Sequence, residues 1–404
     1  MKHVQAFSLT LAAICALSVS MCDFPYEPQP AVPPAGGGGA AIEVGRLVPI
    51  NSTRQICNAS VSPAAAGEPF AHTMLWLNFS GPLNVDNSQH PGFTLNAPYQ
   101  HDRLTITDTA NSVVWYMMSE ELGIPAGAQI QDPQWSTHPD YIVCVGSVGD
   151  RAMAIWNGYV VRLSDREVFK FNNEGLFATS TPHLWVGGPS DPPPSDVRGY
   201  DDNGNASAAE LYEYFGTLNV KIAFTKKIGG AQSSRADAFY VDYSTGRAVE
   251  TRLAKPAEWT NNMLENVLIS PDGGWLTYYC FQVLSYNESY VQRLAPQSQP
   301  IKLVDGNAAE PYWWPEPGSD RLFIIYATAG GPVQGDFATV TDGSLGVTRM
   351  QQVAINTAAA AEFLRFRIIG EPVTIIPLPF RGGLSPDGKV AVTGYEDAWV
   401  LIFN

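Results

Sequence analysis

One short phrase recurs along the chain and limits what it can fold into: an apolar residue, Ser, Pro, an acid and often Gly, running straight into an apolar stretch. The fullest copy is Leu268-Ile269-Ser270-Pro271-Asp272-Gly273-Gly274-Trp275-Leu276, and the last is Leu384-Ser385-Pro386-Asp387-Gly388-Lys389-Val390. Partial copies read Trp135-Ser136-Thr137-His138-Pro139-Asp140-Tyr141-Ile142 and Tyr312-Trp313-Trp314-Pro315-Glu316-Pro317-Gly318. Pro presets φ, Asp bonds back to the backbone and Gly takes a positive φ, so each phrase reads as a strand, a tight turn and a return strand. The apolar runs are short, as in Tyr141–Val145, Ala238–Val241, Leu322–Tyr326 and Val390–Val392. They are apolar at consecutive positions, which marks strands covered on both faces.

Each unit has a second half. Ala238–Asp242 runs into the turn Tyr243-Ser244-Thr245-Gly246 and then the outer run Val249–Leu253. Tyr290–Leu294 plays the same part after the Pro271 copy. Pro271 and Pro315 lie 44 residues apart, the length of one four-stranded blade. Gly 36 and Pro 31 are what many such turns require.

The Ser-Pro-Asp-Gly copies at 270 and 385 resemble the repeats of TolB-like β-propellers, the group that includes the propellers of dipeptidyl-peptidase-type enzymes. The resemblance covers roughly residues 70–404 and leaves out the α/β domain that precedes the propeller in TolB. It implies an all-β chain. The expected architecture is a six-bladed β-propeller of four-stranded antiparallel blades: about 72–128, 129–176, 177–260, 261–306, 307–379 and 380–404. Seven blades is the alternative, since 177–260 is long enough to hold two. An open last blade exposes an edge, so a strand from 42–50 or 73–80 is expected to close it.

The chain start carries an address. Met1-Lys2-His3 precedes an apolar run, Val4–Val19, which reads as a secretory leader and is too short for a comfortable membrane span. Val19-Ser20-Met21-Cys22 is similar to a bacterial lipoprotein box, with Met21 where a small residue is usual. The expected organisation is a leader at 1–21, a Pro/Gly-rich tether at 22–41 and a propeller at 42–404. Cys22 is the expected lipidation site, which would anchor the domain to the cell-envelope membrane; simple secretion is the other reading. Cys144 and Cys280 sit inside apolar runs and read as core residues. The formal charge of −15 offers no basic field, which argues against a nucleic-acid partner.

Two insertions interrupt the blade rhythm, near 187–216 and 335–370. The first carries six acids against one base, Arg198. Its Asp201-Asp202-Asn203-Gly204-Asn205 has the oxygen-rich look of a calcium loop, but Ala206 and Tyr212 stand where a helix–loop–helix site needs Gly and Glu. A solvated acidic loop is the plainer reading, so no cofactor is expected here, with calcium as the alternative. Trp313 and Trp314 form the densest aromatic cluster; they either anchor a ligand or pack between blades. No two histidines have the spacing of a helical metal site, and no Gly-x-Ser-x-Gly elbow or phosphate loop is present.

The expectation is therefore an envelope-anchored or secreted propeller that binds an envelope protein or peptide without catalysis. Ligand contacts are expected at Trp313, Trp314, Asp201, Asp202 and Asn203. The alternative is a propeller-type polysaccharide-binding protein or lyase with a metal in its channel. The TolB resemblance implies a scaffold role, which is fold analogy and not site chemistry.

Overall fold

The computed structural model describes residues 45–49, 59–77, 79, 101–124, 129–148, 155–171, 182–193, 208–227, 236–256, 263–281, 288–303, 309–315, 322–327, 336–340, 350–353, 383–393 and 399–403. Its strands follow in chain order. They are β1 (Gly45–Pro49), β2 (Ser60–Val61), β3 (Met74–Leu77), β4 (Arg103–Thr107), β5 (Val113–Met118), β6 (Ile130–Trp135), β7 (Tyr141–Val148), β8 (Ile155–Arg162) and β9 (Val168–Phe171). Then come β10 (His183–Val186), helix α1 (Ala208–Phe215), β11 (Val220–Lys227), β12 (Ala236–Asp242), β13 (Val249–Arg252), β14 (Met263–Ile269), β15 (Trp275–Phe281), β16 (Glu288–Arg293) and β17 (Ile301–Lys302). The last are β18 (Ala309–Pro315), β19 (Leu322–Ala327), β20 (Asp336–Val340), β21 (Met350–Val353), β22 (Val390–Thr393) and β23 (Trp399–Phe403).

Among the described residues the fold is all-β apart from α1, and its antiparallel sheets follow one another along the chain in propeller fashion. β2–β5, β6–β9 and β18–β21 are four-stranded sheets. β10–β17 form one eight-stranded sheet, in which β12 meets β14 in parallel through a single pair, Ala236↔Met263, and β13 pairs β12. β1, β23 and β22 make a three-stranded sheet. The expectation of six four-stranded blades, or seven, is thereby corrected: the described strands give four sheets of blade type and a smaller closing sheet. The physical reason is that the recurring phrase marks a turn between strands, not a boundary between sheets. The turn at Pro271 lies inside the continuous eight-stranded sheet.

The closing strand comes from 42–50. All five residues of β1 pair with β23, from Gly45↔Phe403 to Pro49↔Trp399, whereas 73–80 supplies β3 of the first sheet. Within the range 335–370, β20 and β21 are the third and fourth strands of the β18–β21 sheet.

Proline placement explains two of three irregular strands. β6 shifts register between Gln131 and Gln134, β18 between Ala309 and Tyr312, and β14 between Glu265 and Leu268. Pro133 and Pro311 sit inside two of these shifts, where a residue lacking an N–H breaks no ladder bond. Asp132 and Asn266 adopt φ of +49° and +50° at the bulges, a conformation these side chains tolerate better than most.

Core packing runs between the sheets. Leu75, Leu77, Leu104 and Ile106 meet Ile142, Cys144, Tyr159 and Val161. Ala59, Val61, Met74 and Trp76 meet Val390, Val392 and Val400, which seats the closing sheet against the first. Cys144 and Cys280 are both buried in these strands.

Helix α1 lies within the range read as an acidic loop. Ala208, Leu211 and Phe215 recur at helical spacing and are buried with Tyr214. They pack on Tyr141, Val160, Phe169 and Phe171. Gly216, at φ +68°, ends the helix, its N–H reaching the Tyr212 carbonyl at 2.7 Å. Burying Leu211 and Phe215 contributes about 2 kcal/mol each, so this segment belongs to the core.

Candidate functional site

Hydrogen bonds cross the joints between neighbouring sheets. The Trp135 N–H reaches Ser60 Oγ at 3.2 Å, joining β6 to β2. The Thr137 N–H reaches the Leu184 carbonyl at 3.0 Å, joining the turn after β6 to β10. Trp313 Nε1 donates to the Leu268 carbonyl at 2.8 Å, and Thr277 Oγ1 lies 3.4 Å from the Pro311 carbonyl. Trp314 Nε1 donates to the Ser385 carbonyl at 3.0 Å, and His72 Nε2 meets Asp387 Oδ2 at 2.7 Å. Neighbours on one strand, Trp313 and Trp314 thus bind backbone on two different sides. Their half-buried indole N–H groups are engaged in joining sheets.

A buried histidine carries one joint. His183 Nδ1 accepts the Ile269 N–H at 2.9 Å, and the Trp135 carbonyl accepts a hydrogen bond from the same ring. Burial holds the imidazole well below its ordinary value of 6.5, at about 3, the Trp135 bond opposing it. The ring is neutral, with its proton on Nε2.

A buried polar constellation lies where the segment before β4 meets the start of β6. The Ile130 N–H bonds the His101 carbonyl at 2.7 Å, which sets the two segments side by side. Gln131 Nε2 then donates to His101 Nδ1 at 2.7 Å and to Gln129 Oε1 at 3.3 Å. Both N–H hydrogens of Gln131 are used, and the His101 proton is fixed on Nε2. Beside them Arg103 Nη1 donates to Asp102 Oδ1 at 2.7 Å from a side chain only 1% exposed. Burial lowers the Arg103 pKa while Asp102 supports the charge. His101 has φ +39° and Asp132 φ +49°, so the backbone is strained on both sides of the cluster.

This arrangement suits recognition by hydrogen bonding. Gln129 is half-buried, whereas His101 and Gln131 are buried. Among the described residues, Gln129 Nε2 and Gln131 Oε1 have no hydrogen-bond partner. A donor and an acceptor stand adjacent, the complement of a peptide group. Among the described residues there is no group of three or more His, Cys, Asp or Glu arranged to hold a metal.

Of the expected site residues, Cys22, Asp201, Asp202 and Asn203 lie outside the described residues. Trp313 and Trp314 lie on β18, and no described contact brings them to the His101–Gln131 cluster. Sequence reasoning missed that cluster because His101 and Gln131 are 30 residues apart and share no motif. The available signal was Asp132-Pro133 inside the short stretch Ile130–Trp135 just before a repeat phrase, where a proline within a strand points to a bulge.

The comparisons with known proteins are distant. No family model matches the sequence, and no curated protein matches it. Among solved structures, the chain is similar to TolB from Acinetobacter baumannii at 13% identity, over 74% of this chain and 59% of that one, with a TM-score of 0.36. It is similar to a putative TolB from Agrobacterium tumefaciens at 12% identity, over 91% and 100% of the two chains, TM-score 0.38. The Dos1 propeller aligns at 11% identity, over 75% and 63%, TM-score 0.37. No helix among the described residues is long and apolar enough to cross a membrane.

Proposed function

We propose that this protein is an exported β-propeller that binds an envelope protein or peptide and catalyses no reaction itself. The observation that carries the reading is the Gln129–Gln131–His101 chain, which leaves an amide donor and an amide acceptor side by side at a half-buried rim. Neutral amide and imidazole groups recognise backbone amides, and a strained, hydrogen-bonded loop holds them in place before a ligand arrives. The leader-like residues 1–21 and the Pro/Gly-rich tether support export, and Cys22 is the proposed point of lipid attachment.

The test is affinity capture of the mature chain from its own envelope, wild type against Gln129→Ala/Gln131→Ala. Loss of the captured protein from the double variant, with folding intact, supports the reading; an unchanged catch overturns the assignment of the site. Turnover of a cell-wall polysaccharide by the purified chain would overturn the non-catalytic part. The acidic segment is best probed by Asp201→Ser/Asp202→Ser, because deleting 187–216 also removes Leu211, Tyr214 and Phe215 from the core. Labelling with a radioactive fatty acid, wild type against Cys22→Ala, tests the anchor: label confined to wild type supports it, and equal label refutes it.

A further inference from the structure

His183 stands where three strands meet, and its ring is committed on both nitrogens. Nδ1 accepts the Ile269 N–H of β14, and Nε2 donates to the Trp135 carbonyl of β6. The residue itself belongs to β10 and is 7% exposed. No rotation of a protonated ring preserves both bonds, because imidazolium is a donor at each nitrogen and one of its neighbours is a backbone N–H. We propose that His183 is an acid-operated release between inner strands: a proton on Nδ1 displaces the lone pair that holds the Ile269 N–H, and β10 parts from β14.

The described charged side chains on the surrounding elements are engaged elsewhere. On β6 and its turn, Asp132 acts on the buried Cys144, and His138 Nδ1 accepts the Asp140 N–H. On β11, Lys221 bonds the Gly273 carbonyl, and Lys226 pairs with Glu250. On β12, Asp237 pairs with Arg252, and Asp242 accepts the Ser244 N–H. On the turn after β14, Asp272 accepts the Gly274 N–H. Burial and the Trp135 carbonyl are what act on the imidazole. The folded value is depressed below the unfolded 6.5, so the contribution of the neutral ring is complete above pH 6.5. It is lost progressively as the pH falls toward about 3.

The test compares unfolding of the full chain by urea at pH 7.5 and pH 5.0 for wild type, His183→Gln and His183→Asn. Either amide offers an acceptor and a donor without titrating. The wild-type unfolding constant is expected to rise ~30-fold more than that of the variants over this interval. A wild-type rise within threefold of both variants overturns the proposal. If neither variant folds, exchange of the Ile269 amide in wild type is read instead, corrected for its intrinsic rate. Protection falling ~30-fold between pH 7.5 and 5.0, well beyond any fall at Val390, supports the release. Protection unchanged at Ile269, or lost equally at both amides, overturns it.

Discussion

The two complete Ser-Pro-Asp-Gly turns share a sequence and an internal wiring, yet they are held by different neighbours. In both, the Ser Oγ accepts the N–H five residues on, from Trp275 or from Val390, at 2.9 Å. In both, Asp Oδ1 bonds the Ser hydroxyl and the N–H two residues on, and the Gly N–H reaches the Ser carbonyl. The first turn is clamped from one side. Trp185 Nε1 donates to the Pro271 carbonyl at 3.0 Å, and Lys221 Nζ reaches the Gly273 carbonyl at 2.7 Å while lying over the Trp185 ring. The second turn bridges two sheets, taking Trp314 on the Ser385 carbonyl and His72 on Asp387 Oδ2. Local sequence sets the shape of the turn; the surroundings decide what it joins.

The largest expected difference is at glycine. A Cβ on Gly273 would lie 2.3 Å from the Trp185 ring, whereas one on Gly388 would lie 3.4 Å from Trp314. Both positions have positive φ, at +70° and +73°. Gly388→Ala is expected to cost about 1 kcal/mol from backbone strain alone. Gly273→Ala is expected to cost about 3 kcal/mol, since the ring must also move. Urea unfolding checks both, and equal losses would erase the distinction between the turns.

Next come the serines. Ser270→Ala and Ser385→Ala each leave a buried N–H unpaired, so each is expected to cost about 1–2 kcal/mol, with the two values close together. A wide gap in thermal unfolding would show that the shared wiring is not equally used.

The aspartates give the smallest effect. Asp387→Asn removes the His72 contact as well as the turn bond, so it is expected to exceed Asp272→Asn by about 0.5 kcal/mol at pH 7. Burial alone raises the Asp387 pKa, but the bonds from Ser385 and His72 outweigh it and hold the carboxyl below its ordinary 3.8. Its contribution is therefore present above pH 3.8 and lost as the pH falls through the lower folded value. A pH-independent difference between the two variants down to pH 3 would contradict that assignment.

Much of this was legible in the sequence, for reasons that follow from distance along the chain. Pro271, Asp272 and Gly273 act within five residues, so their turn could be read directly. The closing strand was foreseeable because an open edge demands one. Sheet count was not, because the merger rests on one pair, Ala236↔Met263, far from any repeat phrase. Helix α1 was readable from Ala208, Leu211, Phe215 and Gly216, but the acids around it gave the segment the look of a loop. A further copy, Val61-Ser62-Pro63, lacks Asp and Gly, yet Ser62 still pairs its N–H with the Thr73 carbonyl at 2.9 Å. The His101–Gln131 cluster joins two segments by tertiary contact alone, which no local pattern encodes.

Hydrogen exchange of the mature chain, with and without a protein recovered by the proposed affinity capture, tests the proposal of peptide recognition most directly. Protection is expected at His101–Arg103 and Ile130–Trp135, with the turns at 270–275 and 385–390 unchanged. Protection confined to the turns, with the His101–Gln131 segments unaffected, would contradict the account.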